Sequence, residues 1–139
     1  KWPNDLLIDS RKLAGLLPSL VFRGQRVRLA RVGVGLNVNN PVPPGAVSLR
    51  ELLSPGQCRL RLWQGAVLRS LDRARELALE PSRVVRQAEQ RLWAESVPDP
   101  GTGELLRVRG IGMDGRLLLQ QGTRRISWTR WSDTPDQDL

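Results

Sequence analysis

Of the 22 cationic side chains in this 139-residue chain, only Lys1 and Lys12 are lysines, and both fall within the first dozen residues. An arginine carries a planar fork of donors, whereas a lysine carries a compact point charge on a thin stem. In a chain that otherwise uses arginine, the pair points to a site too narrow for a guanidinium, with chance placement as the plain alternative. An amide and a carboxylate, Asn4 and Asp5, stand between the two lysines. With no histidine and a single cysteine, Cys58, the segment is a poor candidate for a zinc site or for a Ser-His or Cys-His nucleophile pair. Its chemistry must run on lysine, carboxylate, amide, hydroxyl and backbone groups.

A second candidate surface lies in residues 27–39. Side chains alternate faces along a strand, so Val32, Val34, Leu36 and Val38 point one way and Gly33, Gly35, Asn37 and Asn39 the other. The aliphatic face suits packing on helices. The other is bare for two positions and then offers two carboxamides. Glycine inside a strand costs stability and often marks the close approach of a ligand or of another backbone, so a ligand or a neighbouring helix is the choice this pattern leaves.

The formal charge of +8 raises nucleic acid as a partner. The arginines are spread along the chain, from Arg23, Arg26 and Arg28 to Arg130, without a dense basic tract or interleaved stacking aromatics. That distribution favours a solvated basic surface over an arginine-rich nucleic-acid-binding module. No apolar run approaches the length that spans a bilayer. The single cysteine excludes an intramolecular disulfide framework and suits a reducing cytoplasm. The chain opens on Lys1 inside a motif and reads as a fragment of a longer protein.

The elements that must position these residues can be read from turns and periodicity. Pro3 keeps Trp2 extended. Leu6 to Ile8 predicts a short strand, Asp9 to Arg11 a turn, and Lys12 to Leu17 a returning strand that continues irregularly through Pro18 to Phe22. After a turn at Arg23 to Gln25 comes the strand of residues 27–39. Ser48 and Glu51 have capping-box spacing for one helical turn ending at Ser54 to Gly56. Leu60, Trp63, Val67, Leu71 and Leu77 approximate a helical stripe over residues 58–79, and Pro81 opens a second helix to about Ala94. After the turn-rich 98–103 break, short strands near 105–111, 117–120 and 125–128 suggest a small antiparallel barrel of the SH3 type. The polar tail, Asp133 to Leu139, is expected to fray.

Three pieces in this order, KWPNDLL at 1–7, RKLAGLL at 11–17 and GVGLNVNN at 33–40, resemble the biotin protein ligases (biotin–[acetyl-CoA-carboxylase] ligases). The resemblance implies an α/β (α+β) fold: the second half of a mixed-sheet catalytic domain related to class II synthetases and lipoate ligases, then an SH3-like β-barrel. The division expected is 1–96 for the catalytic half and 97–139 for the barrel domain, whose first hairpin looks short. Pro18-Ser19 and Val47 depart from the commoner family residues. A lipoate or octanoyl ligase relative is the neighbouring alternative, since it shares the sheet.

The family's chemistry is implied with the fold. Biotin's carboxylate attacks Mg-ATP to give biotinyl-5′-AMP, and a lysine of a biotin carboxyl carrier protein, an acetyl-CoA carboxylase subunit, then takes the biotinyl group. By position in the motifs, Lys1 and Lys12 match the catalytic lysines. Lys1, Gly15, Gly33, Gly35 and Leu36 match biotin-binding positions. Asn4, Asp5, Lys12, Asn37 and Asn39 match the ATP side, with Asp5 a candidate Mg²⁺ ligand or, on the plain reading, a turn-capping residue. The family's loop over biotinyl-AMP lies upstream of these motifs, so the fragment is expected to be inactive alone. No membrane is implied, nucleic acid enters only through a DNA-binding domain upstream, and a homodimer is left open.

Overall fold

A computed structural model of the chain describes residues 1–129, so the polar tail from Asp133 lies outside the described residues. The chain divides into two compact units, residues 4–72 and residues 1–3 together with Arg73 onward. Each is described by itself.

The unit of residues 4–72 is built on a three-stranded antiparallel sheet in the order β1-β2-β3. β1 (Asp5–Ile8) and β2 (Arg11–Arg23) are joined by Asp9 and Ser10, both at positive φ, 47° and 64°. Two successive left-handed residues make the mirror-image turn whose twist matches that of a hairpin. The second hairpin turns at Gly24 (φ 60°) into β3 (Arg26–Leu36).

β2 runs unbroken through Pro18, and the irregularity expected over Pro18 to Phe22 is a register shift against β3 between Val21 and Phe22. The N–H of Leu16 reaches across to Asn4 on the β1 side. N–H groups two residues apart point the same way, so the N–H that Pro18 lacks would face the same edge. β1 pairs only with Arg11 to Gly15, so no ladder bond is lost there.

The strand expected over 27–39 ends at Leu36. Asn37 and Asn39 therefore do not continue the glycine row. The chain bends because the carbonyls of Asn37 and Val38 accept the N–H groups of Leu49 and Arg50, which draws it onto the 3-10 turn Leu49–Glu51. Val38, Leu49 and Cys58 form this unit's buried cluster, with Leu13, Leu36, Leu53 and Trp63 packed on it. Val32 and Val34, expected to pack on helices, remain 43% and 36% exposed. A second 3-10 turn, Pro55–Gln57, precedes helix α1 (Leu60–Leu77). On α1 the expected stripe is half-buried at Trp63, Val67, Leu71 and Leu77 and exposed at Leu60.

In the other unit, helix α2 (Pro81–Glu89) stops five residues short of the expected Ala94. Its end is diverted by 3-10-type bonds from Arg91 to Ala88 and from Leu92 to Glu89, and Leu92 and Ala94 pack on the core of the following sheet. That sheet is a meander of β4 (Ser96–Pro98), β5 (Leu105–Ile111), β6 (Leu117–Gln121) and β7 (Arg124–Trp128). It buries Val97, Leu106, Leu117 and Leu119, with Trp2 packed against them. The three later strands fall where the turns predicted them. Among the described residues the four strands form one sheet in the order β4-β5-β6-β7, without a pairing that closes the expected barrel.

Candidate functional site

The residues singled out in the sequence fall into two groups. Lys1 belongs with the unit containing the β4–β7 sheet, and Asn4, Asp5, Lys12, Gly15, Gly33, Gly35, Leu36, Asn37 and Asn39 with the other. Lys1 lies beside Trp2, Leu92, Trp93 and Val97 at a narrow crevice. The Trp2 indole N–H donates to the Gly115 carbonyl at 2.9 Å, fixing the residue next to it.

In the sheet unit, Asp5 pairs with Gly15 and Gly15 with Gly35. Directly paired residues share a face, so Asp5, Gly15 and Gly35 form one row across the three strands, with Leu17 and Gly33 in the next register row on the same side. Lys12 reaches that row only because the ladder is irregular. Gly15 and Lys12 are three residues apart, which in a regular strand puts them on opposite faces. Between Leu6 and Leu7 the register slips by one residue, so Leu7 pairs with Lys12 and not Leu13. The bulge reverses the alternation and delivers Lys12 to the side of Asp5. Its Nζ then sits 2.7 Å from Asp5 Oδ1, with Asp5 22% and Lys12 50% exposed at the side chain. Leu36, paired with Ala14, faces the other way and packs in the buried cluster.

The backbone of Lys12 is clamped. Its N–H donates to the Gly45 carbonyl at 2.9 Å, and its carbonyl accepts from the Val47 N–H at 3.0 Å and from Asn37 Nδ2 at 3.3 Å. Asn37 Nδ2 also donates to the Val47 carbonyl at 3.3 Å, and Asn37 Oδ1 accepts from Asn40 at 3.1 Å. The Asn37 carboxamide, expected on the ATP side, thus spends its donors on the backbone beneath Lys12. Asn4 is engaged in the same manner, its Nδ2 donating to the Leu16 carbonyl at 2.8 Å. Asn39 is exposed in the bend. Asn40 and the Gly45 to Val47 loop were missed from sequence, since nothing in the Asn39-Asn40 pair says which amide turns inward.

Beneath the loop, Glu51 Oε1 accepts from the N–H and the hydroxyl of fully buried Ser48, at 2.9 and 3.0 Å. These bonds, backbone first, hold the Glu51 carboxyl below the ordinary glutamate value, with help from Arg11 at 3.1 Å. The capping spacing read from sequence is thus a working contact.

A Mg²⁺ cage does not fit the donor set. Among the described residues no group of three histidine, cysteine or acidic side chains could hold an ion, and the Asp5 carboxylate already carries an ammonium. Mg²⁺ at such a site would depend chiefly on nucleotide phosphates. The arrangement offers one fixed cation beside a floor of glycines, which suits an anionic group lying close to the backbone. No described helix is long and apolar enough to cross a membrane.

No family model matches the chain. Sequence relatives are found nonetheless. Biotin–protein ligase 2 of Arabidopsis thaliana is 30% identical over 131 residues, covering 85% of this chain and 40% of that protein. The bifunctional ligase/repressor BirA of Bacillus subtilis is 46% identical over 39 residues, 28% of this chain and 12% of that one. The biotin–[acetyl-CoA-carboxylase] ligase of Paracoccus denitrificans is 40% identical over 47 residues, covering 34% and 20%. The apo structure of the biotin protein ligase from Aquifex aeolicus superposes with a TM-score of 0.67 at 20% identity, over 91% of this chain and 59% of that one. The chain thus spans less than two thirds of the length of each of these relatives.

Proposed function

We propose that this chain, which matches the C-terminal part of the biotin protein ligases in sequence and in fold, supplies the lysine-bearing side of a site that activates biotin with ATP. The activity is that of a ligase joining biotin to a protein amine through a C–N bond. The observation that carries this reading is the placement of Lys12 by the bulge, over Gly15 and beside the Gly35 strand.

In the first step a carboxylate oxygen of biotin attacks the α-phosphorus of ATP, and the bond to pyrophosphate breaks. An anion attacking an anion is opposed by repulsion, so fixed cations at the transition state carry much of the catalysis. Lys12 is the cation at the α-phosphoryl group, and Lys1 the one that meets biotin's carboxylate. Gly15, Gly33 and Gly35, with the backbone of Leu36, provide a surface that a flat ring system can approach closely. Asp5 and Asn39 belong to the ATP side, Asn4 and Asn37 brace the backbone there through their side-chain amides, and Mg²⁺ arrives with the nucleotide. In the second step a lysine amine of a biotin carboxyl carrier protein attacks the mixed anhydride, loses its proton and releases AMP. The single cysteine suits a cytoplasmic setting for this chemistry.

Biotin-dependent exchange of labelled pyrophosphate into ATP by the full-length protein tests the reading. Lys12→Ala should cut exchange by about 10²- to 10³-fold, and exchange at the parent rate would remove Lys12 from the chemistry.

A further inference from the structure

We infer that Asp5 is the positioning residue of Lys12, and that Gly15 keeps open the space in which the two meet. This rests on the proposed role of Lys12 at the phosphoryl group and deepens it, since Asp5 then works through the lysine and not as a metal ligand.

The geometry carries the assignment from three sides. The bulge places Lys12 opposite Leu7, two residues from Asp5 on β1 and therefore on its face. The ammonium closes on Asp5 Oδ1 at 2.7 Å, within the range of charge-assisted bonds. A Cβ added at Gly15 would lie 3.3 Å from both Cε and Nζ of Lys12 and 3.4 Å from Asp5 Oδ1. The two lysine contacts are tighter than a Cβ usually makes, so a methyl at 15 shifts the end of Lys12 by a few tenths of an ångström, while its contact with Asp5 is ordinary.

The clamp beneath the lysine fixes its stem, but a four-carbon side chain keeps its own rotamers and loses them only if its head is held. Asp5 holds that head, and half of the Lys12 side chain stays open to receive an anion.

The test compares Asp5→Asn, Gly15→Ala and Lys12→Ala in the full-length protein by pyrophosphate exchange, with Mg²⁺ and ATP titrated separately. Asp5→Asn should lower kcat by about 10- to 100-fold, with the ATP KM changed less than kcat, and excess Mg²⁺ should not restore the rate. Gly15→Ala should act in the same direction while leaving the thermal midpoint nearly unchanged, because the atoms it displaces are the flexible end of a lysine. In the Lys12→Ala background, Asp5→Asn should add no further loss. Recovery of Asp5→Asn by Mg²⁺ would overturn the inference in favour of a metal ligand, and parent rates in both single variants would overturn it outright. If Asp5→Asn does not fold, Gly15→Ala decides alone. An active Lys12→Ala enzyme would instead sink the underlying reading of Lys12, an outcome distinct from either.

Discussion

Replacing Asn37 separates a clamp from a nucleotide contact. Its Nδ2 donates to the carbonyls of Lys12 and Val47, both at 3.3 Å. The Lys12 carbonyl keeps its bond from the Val47 N–H, but Val47 is fully buried and its carbonyl would lose its donor from Asn37. Two long bonds at the low end of the usual range give about 0.5 kcal/mol each, and stranding a buried carbonyl adds about 1 kcal/mol. Asn37→Ala should therefore destabilise the fold by about 2 kcal/mol, roughly 6–10 °C in the thermal midpoint for a chain of this size.

Asn37→Asp sharpens the test because it reverses the sign of a pH effect. An ionised carboxylate would face two carbonyl oxygens, so its folded pKa must rise above the unfolded value near about 3.9. The unfolded state then binds fewer protons between the two values, and stability falls as pH rises through that window. Asn37→Asp should thus be less stable than Asn37→Ala at about pH 7 and recover toward it at about pH 4. Urea titrations at the two pH values, on the 139-residue chain without nucleotide, provide the measurement. Parent-like stability of both variants would refute the clamp and return Asn37 to a direct role at ATP.

Gly110 lies at φ 145° at a register shift of β5, where a Cβ would collide with the Glu89 carboxylate that accepts the Ile111 N–H at 2.8 Å. Gly110→Ala should cost about 2–3 kcal/mol by strain and loss of that bond, and an unchanged urea midpoint would contradict the contact. Trp2→Phe keeps the ring against the sheet but deletes the donor to Gly115; it should cost about 0.5–1 kcal/mol, read in the same titration, and neutrality would dismiss the bond. The Glu51 carboxyl, held low first by the Ser48 N–H, stabilises the fold above the ordinary carboxylate range and loses that contribution as pH falls through its lowered value. In Glu51→Gln the acid limb of the stability–pH curve should flatten, and an identical limb would show that the bonds do not matter.

Much of the site was legible in the sequence because its signals are local. Turn residues, the Ser48 and Glu51 spacing and the rarity of lysine act over a few positions, so the hairpins, the 3-10 turn and the two lysines could be named without a fold. Where the reading overran, a distant partner decided. β3 ends at Leu36 because the next carbonyls bond to Leu49 and Arg50, and α2 ends at Glu89 where Leu92 and Ala94 turn into the core of the sheet.

Lys12 shows the division most plainly. The sequence by itself marked it as one of two lysines and placed Gly15 three residues on, an interval that strand alternation assigns to opposite faces. Only the pairing of β1 with β2, one residue out of step, turned Lys12 to the face of Asp5 and Gly15. A bulge is a relation between two strands, and the one-residue slip that reverses a side chain leaves no mark in either strand alone.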